Sequence, residues 1–299
     1  FNEELNIEKL CAAVRDVMQN NTFDYEHIII DNCSTDTTTR IVKDLIAKDK
    51  KIKLIINNKN YGHLNSPIYG LLQSKGDASI LLNSDFQDPP ELIDQLLSKW
   101  KNGSKIVLLQ KTDSDENTSM KLTRNFFYWF LKKISKTPLT VNTTGSGLFD
   151  KSILNEVKKL NDPCPYFRGI VADIGPEIDL LKFKQPVRLK GKTKNNFFSL
   201  MDMAILAIVK HSKAPLRLMT ILGFIISFLS ISTALIFFIL KLIYWDSFDF
   251  GTAPLLIGIF SIGGFQILFL GLLGEYIGTI LSHVRNLPLV IEKERVNFD

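Results

Sequence analysis

Two long runs without a charged residue, at 218–240 and 252–274, limit what the last third of this chain can be. At 1.5 Å rise per residue, each covers roughly 34 Å as a helix, enough to cross the hydrocarbon core of a bilayer with modest tilt. A helix buried in a soluble core seldom stays apolar all round for that length. The connector Tyr244-Trp245-Asp246-Ser247-Phe248-Asp249-Phe250 has the aromatic and acidic character of a membrane–water boundary. Lys210, Lys213 and Arg217 precede the first run and Arg285, Lys293 and Arg295 follow the second, whereas only Lys241 lies near the connector. The excess of basic residues on the outer flanks predicts two spans, 216–244 and 252–281, in a cell inner membrane, with the large N-terminal domain and a tail over 282–299 on the cytoplasmic side. Ahead of the spans, in the juxtamembrane segment 191–215, residues 197–208 mix apolar and polar side chains among Lys192, Lys194 and Lys210. That stretch reads as an amphipathic helix lying on the membrane surface, or as an ordinary packing helix. Gly274 and Gly278 have a spacing that lets helices approach closely, so a homo-oligomer is among the expected partners.

The apolar share of 45% and mean hydropathy of +0.09 hide this asymmetry, because the excess sits at the C-terminal end. A net charge of +5 falls far short of the basic stripe of a nucleic-acid binder, so no nucleic-acid partner is expected. Cys11, Cys33 and Cys164 are widely spaced and odd in number, which gives neither a disulfide framework nor a paired-cysteine metal site and fits a reducing compartment. No basic region followed by an apolar stretch opens the chain, so no signal peptide is read there. Phe1-Asn2-Glu3-Glu4 reads as the end of a strand-to-helix turn whose strand is missing from a trimmed N-terminus.

Over residues 1–190 the pattern alternates. Helical spacing covers 4–18, 37–48 and 66–74, short apolar strands cover 27–30, 53–56, 78–82 and 105–109, and Pro89-Pro90-Glu91 opens a further helix. Such alternation predicts an α/β domain with a mostly parallel sheet covered on both faces. Ligands of such sheets bind outside the carboxyl ends of the strands. Two strand ends carry acidic clusters: Asp31-Asn32-Cys33-Ser34-Thr35-Asp36 and Asn83-Ser84-Asp85-Phe86-Gln87-Asp88. Neither a Walker A loop nor a GxGxxG turn occurs, which excludes the ordinary P-loop and dinucleotide fingerprints.

Asp31 leaves an apolar strand for a turn of small polar residues, where its carboxylate can accept hydrogen bonds from a base or ribose while Ser34 or Asp36 caps the next helix. Helix capping by the whole cluster is the plainer alternative. Asp85 and Gln87 alternate just past a strand end, so both can turn toward one point. Hard oxygen donors of this kind suit Mg²⁺ or Mn²⁺, which keep several waters and bridge phosphate oxygens. Taken alone, the same string is also a plain turn before a helix.

The chain resembles the inverting family 2 glycosyltransferases of GT-A fold, within them the polyprenyl-phosphate branch of bactoprenol glucosyltransferases and dolichol-phosphate mannose synthases. The resemblance rests on Phe1-Asn2-Glu3-Glu4, the Asp31–Asp36 cluster, Asn60-Tyr61-Gly62-His63, Asp85-Phe86-Gln87-Asp88-Pro89-Pro90-Glu91-Leu92, Phe167-Arg168-Gly169 and the paired spans ending Leu273-Gly274-Glu275-Tyr276-Ile277-Gly278. It implies a GT-A (Rossmann-like nucleotide-diphospho-sugar transferase) domain in which Glu3, Asp31, Ser34 and Asp85 hold a UDP- or GDP-linked sugar and Asp85 with Gln87 binds Mg²⁺ or Mn²⁺. It implies contacts to an acceptor phosphate from Arg124, Arg168 and Lys194, with Asp85 and Arg124 central to catalysis, and a structural part for His63. On the residues alone, Arg124 is either a phosphate partner beside the aromatic stretch 125–131 or a solvated Arg, and Lys192-Thr193-Lys194 is either a closing loop or a run facing anionic lipid. Three positions depart from the family pattern: Asn83 stands where the first Asp of the DxD falls, Asn32 where the second of an Asp-Asp pair falls, and Gly147 where many relatives carry Arg.

The implied reaction is a single in-line displacement by a polyprenyl phosphate oxygen on a nucleotide sugar. That acceptor is already ionised and needs no strong base, and Asp88 is the nearest alternative base. Two other readings stand beside it. One is a family 2 transferase acting on a glycolipid or glycan hydroxyl, which requires a base. The other is a non-catalytic nucleotide-sugar-binding membrane scaffold, suggested by Asn32 and Asn83.

Overall fold

Apolar residues at helical spacing give α1 (Ile7–Gln19) a buried stripe of Ile7, Leu10, Cys11, Val14 and Met18, and this stripe sets the helix against the strand that follows. The computed structural model describes residues 1–112, 143–163, 165–174, 177–186, 205–206, 208–210, 212, 214–244, 252–285 and 287–298. After α1 come β1 (His27–Asp31), α2 (Thr38–Lys48), β2 (Ile52–Asn57), α3 (Gly62–Gln73), β3 (Ala78–Leu81), α4 (Leu92–Lys101) and β4 (Ile106–Lys111). Each of the strands and helices expected over residues 1–111 is present, with ends displaced by up to four residues.

The sheet departs from the expectation. There are two mixed sheets among the described residues, ordered β1-β2-β7 and β3-β5-β4-β6, with β5 at Thr143–Asp150, β6 at Ile178–Phe183 and β7 at Glu292–Val296. β1 runs parallel to β2 and β4 parallel to β6, but β5 is antiparallel to both of its neighbours and β7 antiparallel to β2. β1 and β2 are joined through the helical crossover of α2, whereas β5 lies between β4 and β6 in the chain. The antiparallel strands arrive from outside the regular alternation, β7 from beyond the second long helix, which is why pattern alone did not place them. One core cluster nevertheless draws on both sheets, with Leu54 and Ile56 beside Val107, Leu109 and Leu148.

Between β3 and β4, β5 needs two glycines. Gly145 has φ +86 and Gly147 φ +153, and the register of β4 against β5 slips between Leu108 and Gln110. A Cβ at Gly147 would stand 2.1 Å from the Val107 carbonyl oxygen, so this position carries no side chain in the present pairing. β5 ends at Asp150, whose carboxylate accepts the Ser152 backbone N–H at 2.9 Å and opens α5 (Lys151–Leu160). Asn161, in left-handed conformation at φ +44, closes that helix before α6 (Phe167–Ile174).

The last third holds α7 (Ala214–Ile243) and α8 (Thr252–Arg285). Stretches of 27 and 25 residues within them have mean hydropathies of 2.4 and 1.6, long and apolar enough to cross a membrane. Phe224, Phe228 and Ile267 are each more than 70% exposed, so the protein itself leaves these faces uncovered. Within 282–299, expected as a tail, β7 pairs with β2 of the α/β domain, Lys43 pairs with Glu294 at 2.6 Å, and Tyr69 donates to Glu292 at 2.8 Å. On the other side of the helical pair, Lys210 donates to both carboxylate oxygens of Asp162 at 2.6 Å, with the two side chains only 7% and 13% exposed, and His283 of α8 stands 3.5 Å from the same carboxylate.

Two outcomes test these joints. Gly147→Ala should cost about 3 kcal/mol of stability, because the new methyl meets backbone rather than a movable side chain; unfolding at an unchanged denaturant midpoint would refute the close approach. Lys210→Met should cost a similar amount, about 3 kcal/mol, by removing the low-exposure ammonium that both Asp162 oxygens accept from, and urea unfolding of the detergent-solubilised protein reads it.

Candidate active site

A cleft opens between β1 and β3, the end strands of the two sheets, and α1, α3 and α4 also border it. Its deep part is apolar, with Ile28, Ile30, Ile80, Leu82, Val14 and Met18, and bears nothing that could recognise a phosphate or a sugar. Its polar lining comes from the C-terminal ends of the strands and the turns beyond them: Glu3, Asn32, Asn60, His63, Asn83 and Asp85. This is where an α/β sheet presents its ligand-binding loops.

Asp31, the last residue of β1, lies between Ile30 and Asn32 and is 2% exposed. Its Oδ2 accepts the Ser34 backbone N–H at 2.8 Å, while Oδ1 is buried with no hydrogen-bond partner among the described residues. A buried carboxylate oxygen left with free acceptor capacity is costly, and a ligand donor removes that cost. Capping of the next helix falls to Asp36 instead, whose Oδ1 accepts the Thr38 N–H at 3.0 Å. The Ser34 hydroxyl accepts the Asn2 N–H at 2.8 Å, so Ser34 secures the Phe1–Glu4 turn against the β1 turn rather than capping a helix. Cys33, at φ +65, provides the sharp reversal between Asp31 and Ser34. Glu3 lines the cleft and its Oε2 accepts from the Asn6 side chain at 2.8 Å.

Asn32, one of the departures from the family pattern, uses both ends of its amide. Its Nδ2 donates to Asn60 Oδ1 at 2.9 Å and to the Gly62 carbonyl at 3.0 Å, and its Oδ1 accepts from Asn57 Nδ2 at 3.1 Å and the Tyr61 N–H at 2.9 Å. A carboxylate there could make the accepting contacts but not the donating ones. Asn32 therefore fastens the β1 turn to the β2–α3 loop. Asn57, fully buried, continues the chain of amides to Ser66 at 3.0 Å.

The second cluster follows β3. Asp85 is 9% exposed and accepts the Gln87 backbone N–H at 3.1 Å, across Phe86 in left-handed conformation at φ +61. Asp85 lines the cleft; Gln87 lies just outside its lining. Among the described residues no group of three or more His, Cys, Asp or Glu gathers as for an all-protein metal cage. One carboxylate and one amide oxygen are hard donors that leave most positions to water and phosphate, which fits Mg²⁺ or Mn²⁺ bound together with a substrate. Asp88 is completely buried: Asn83 Nδ2 donates to its Oδ2 at 2.7 Å and the Ser146 hydroxyl donates to the same oxygen at 2.6 Å. Burial pushes the Asp88 carboxyl above the usual range, with the Ser146 and Asn83 donors pulling it back.

Of the residues expected from sequence, Glu3 and Asp85 line one cleft, Asp31 stands in the chain between two lining residues, Ile30 and Asn32, and Ser34 and Gln87 are outside the lining. Arg124 and Lys194 lie outside the described residues; Arg168 sits in the first turn of α6, with its side chain outside the description. Sequence reasoning missed Ser146 and the bridging parts of Asn32, Asn57 and Asn83. Asn32 and Asn83 stand just past strand ends, but Asn57 is the last residue of β2 and Ser146 lies within β5, so no shared sequence signal marks them.

The family profile for "Glycosyl transferase family 2" matches residues 1–158. Curated relatives extend over nearly the full chain. An uncharacterized glycosyltransferase, sll0501, of Synechocystis is 32% identical over 97% of this chain and 92% of its own length. The SfII prophage-derived bactoprenol glucosyl transferase of Shigella flexneri is 30% identical over 98% and 95%, and the prophage bactoprenol glucosyl transferase homolog of Escherichia coli K12 is 30% identical over 98% and 96%. Among solved structures, S. aureus TarS 1–349 is 17% identical with a TM-score of 0.41, over 69% of this chain and 63% of that one. With the profile covering more than half of its length and relatives at 30% identity or above along almost all of it, the chain belongs to glycosyl transferase family 2 and is a glycosyltransferase.

Proposed function

We propose that this glycosyltransferase moves a sugar from a nucleotide sugar to a polyprenyl phosphate, with inversion at the anomeric carbon. The observation that carries the proposal is the gathering of Glu3, Asn32, Asn83 and Asp85 in the lining at the strand ends, next in the chain to the buried Asp31, whose Oδ1 has no hydrogen-bond partner among the described residues. Relatives named for bactoprenol, at 30% identity, support the lipid-phosphate acceptor. In this reading Asp31 and Glu3 accept hydrogen bonds from the nucleoside, Ser34 holds the Asp31 turn, and Asp85 and Gln87 hold Mg²⁺ or Mn²⁺ beside the diphosphate. Divalent cations are common in the family. When bound, the cation supplies positive charge against the diphosphate that leaves. An acceptor phosphate oxygen forms its bond to the anomeric carbon from one face as the carbon–oxygen bond to the nucleoside diphosphate breaks on the other. The electron pair of the broken bond leaves with the diphosphate, and no proton has to be removed from the acceptor. Positioning of the two substrates then carries much of the rate. Arg124, Arg168 and Lys194 are assigned to the acceptor phosphate on the family resemblance, Arg being a good bidentate phosphate partner.

A hydroxyl acceptor would require a base, and Asp88, the carboxylate next to the Asp85–Gln87 turn, is completely buried and absent from the cleft lining, with Oδ2 taken up by Asn83 and Ser146 and Oδ1 without a hydrogen-bond partner among the described residues. That favours the phosphate. α7 and α8 are assigned as a membrane hairpin with the α/β domain on the cytoplasmic face, in keeping with the basic flanks. The pairing of β7 with β2 supports the same arrangement, since both ends of the hairpin return to one domain.

Washed membranes incubated with a panel of radiolabelled nucleotide sugars and then extracted for lipid should yield a labelled lipid phosphate with one of them. Asp85→Ala should lower that transfer by about a hundredfold or more with unchanged thermal unfolding, and chelation should abolish transfer until Mg²⁺ or Mn²⁺ is restored; full activity in the variant would remove Asp85 from the site. Asp31→Ala should raise KM for the nucleotide sugar about tenfold or more, the worth of a hydrogen bond to a charged acceptor, with a smaller change in kcat. An unchanged KM would mean that the spare oxygen faces no ligand.

A further inference from the structure

We infer that Asp162, Lys210, Tyr276 and His283 form a positioning joint for the lipid acceptor, setting where α6 and its Arg168 stand relative to the two long helices without touching the hold on the nucleotide sugar. The inference rests on the proposed transfer to a lipid phosphate. The two substrates of such a transfer take their positions from different parts of the protein. A nucleotide sugar is held at the ends of β1 and β3, whereas a polyprenyl tail dissolves in the bilayer, so its phosphate stands where the membrane helices put it. In-line attack needs reacting atoms about 3–3.5 Å apart, and a misplacement of about 1 Å can cost on the order of a hundredfold. The chain therefore has to fix one reference against the other.

Three segments meet at Asp162, which lies between α5 and α6. Lys210 Nζ, from the chain ahead of α7, donates to both of its oxygens at 2.6 Å, and His283 Nε2 of α8 stands 3.5 Å from Oδ1. Tyr276 shares a face of α8 with His283, at i and i+7, and donates to the Ser212 carbonyl at 2.8 Å. The Ser212 hydroxyl accepts the Ala214 N–H at 3.1 Å, where α7 begins. An ion pair of such low exposure adds little net stability but holds one geometry.

From Asp162 the constraint passes to the substrate side by two routes. Pro163 and Pro165 stand between Asp162 and α6, and the fixed φ of proline leaves that link few conformations. α6 is itself seated on the second sheet by Phe167, whose ring meets Phe149 edge-on at 4.9 Å, and Arg168 is the next residue. Asn65 of α3, a helix that borders the cleft, donates to the Pro163 carbonyl at 3.4 Å. The residues read as nucleotide-sugar contacts are braced more locally: Glu3 by Asn6, Asp31 by the Ser34 N–H and Asp85 by the Gln87 N–H. Loosening the joint should therefore displace one substrate and spare the other.

The full-length protein in phospholipid vesicles is assayed with undecaprenyl phosphate and the nucleotide sugar that labels lipid in washed membranes. Lys210→Met and Asp162→Asn should each lower kcat/KM for undecaprenyl phosphate about a hundredfold, with KM for the nucleotide sugar unchanged. Lys210→Arg keeps a cation able to reach both Asp162 oxygens and should recover most of that loss. Tyr276→Phe removes one hydroxyl and should lower the same constant severalfold, which keeps the test valid should Lys210→Met fold poorly. A rise in KM for the nucleotide sugar that matches the loss on the lipid side would make the cluster a general support and overturn the inference. Unchanged kcat/KM for undecaprenyl phosphate in Tyr276→Phe and Asp162→Asn would overturn it as well. In both cases the unaltered protein still labels undecaprenyl phosphate, so only the joint is lost. No labelled lipid from the unaltered protein with any nucleotide sugar removes the acceptor reading, and the joint with it.

Discussion

A strand that runs through an apolar sheet and ends in carboxylates brings polar groups to places water no longer reaches, and each must find a partner within the protein. Here side-chain amides meet most of that demand. At the end of β1, Asn32 and Asn57 tie the Asp31 turn to the β2–α3 loop; beyond β3, Asn83 ties the Asp85 turn to Asp88. An amide both donates and accepts, so it can join two segments where a carboxylate can join only donors. The shape of the cleft mouth depends on these bonds. Three buried acceptors stand out against them, Asp31 Oδ1, Asn57 Oδ1 and Asp88 Oδ1, each with no hydrogen-bond partner among the described residues.

The second constraint is mechanical. Two helices with exposed apolar faces would be a loosely hinged appendage if they joined the α/β domain at a single point. They join it at two. The Asp162–Lys210 pair holds the chain just ahead of α7, and β7 adds the residues after α8 to the first sheet. His283 of α8 approaches the same Asp162 carboxylate, and Tyr276 of α8 donates to the Ser212 carbonyl at 2.8 Å, so the two attachments also touch each other. A low-exposure ion pair is weak as a source of net stability but specific in its geometry. Its value here lies in fixing how the cleft stands relative to the helices.

What could be read from sequence follows from how each element earns its stability. α1, α2 and α4 bury a regular apolar stripe, and β1 and β2 are apolar runs bounded by turns, so period and length reveal them. β7 reads Glu-Lys-Glu-Arg-Val. It is held by ladder bonds and by partners such as Lys43, Tyr69 and Gln73, distant contacts that leave no periodic trace in its own sequence. β5 contains two glycines and a register slip, and its place between β3 and β4 is fixed by the close approach of Gly147 to Val107. The acidic clusters at the strand ends were legible because carboxylates after apolar strands are conspicuous. The amides that brace them were not, because an Asn in a turn has many plain explanations and its partner lies far along the chain.

The three departures from the family pattern can therefore be weighed on structural grounds. A decayed site would show unsupported polar residues where ligands once were, with their hydrogen-bonding groups left to solvent. Asn32 instead makes four hydrogen bonds, and Asn83 donates to both a buried carboxylate and a buried hydroxyl. Gly147 occupies a backbone conformation and a contact distance that exclude any side chain, so an Arg at that position would require β5 to pair differently with β4. Each substitution is thus built into its surroundings. The pattern is that of a site re-braced around a different set of residues, which is difficult to reconcile with a scaffold released from the demands of catalysis.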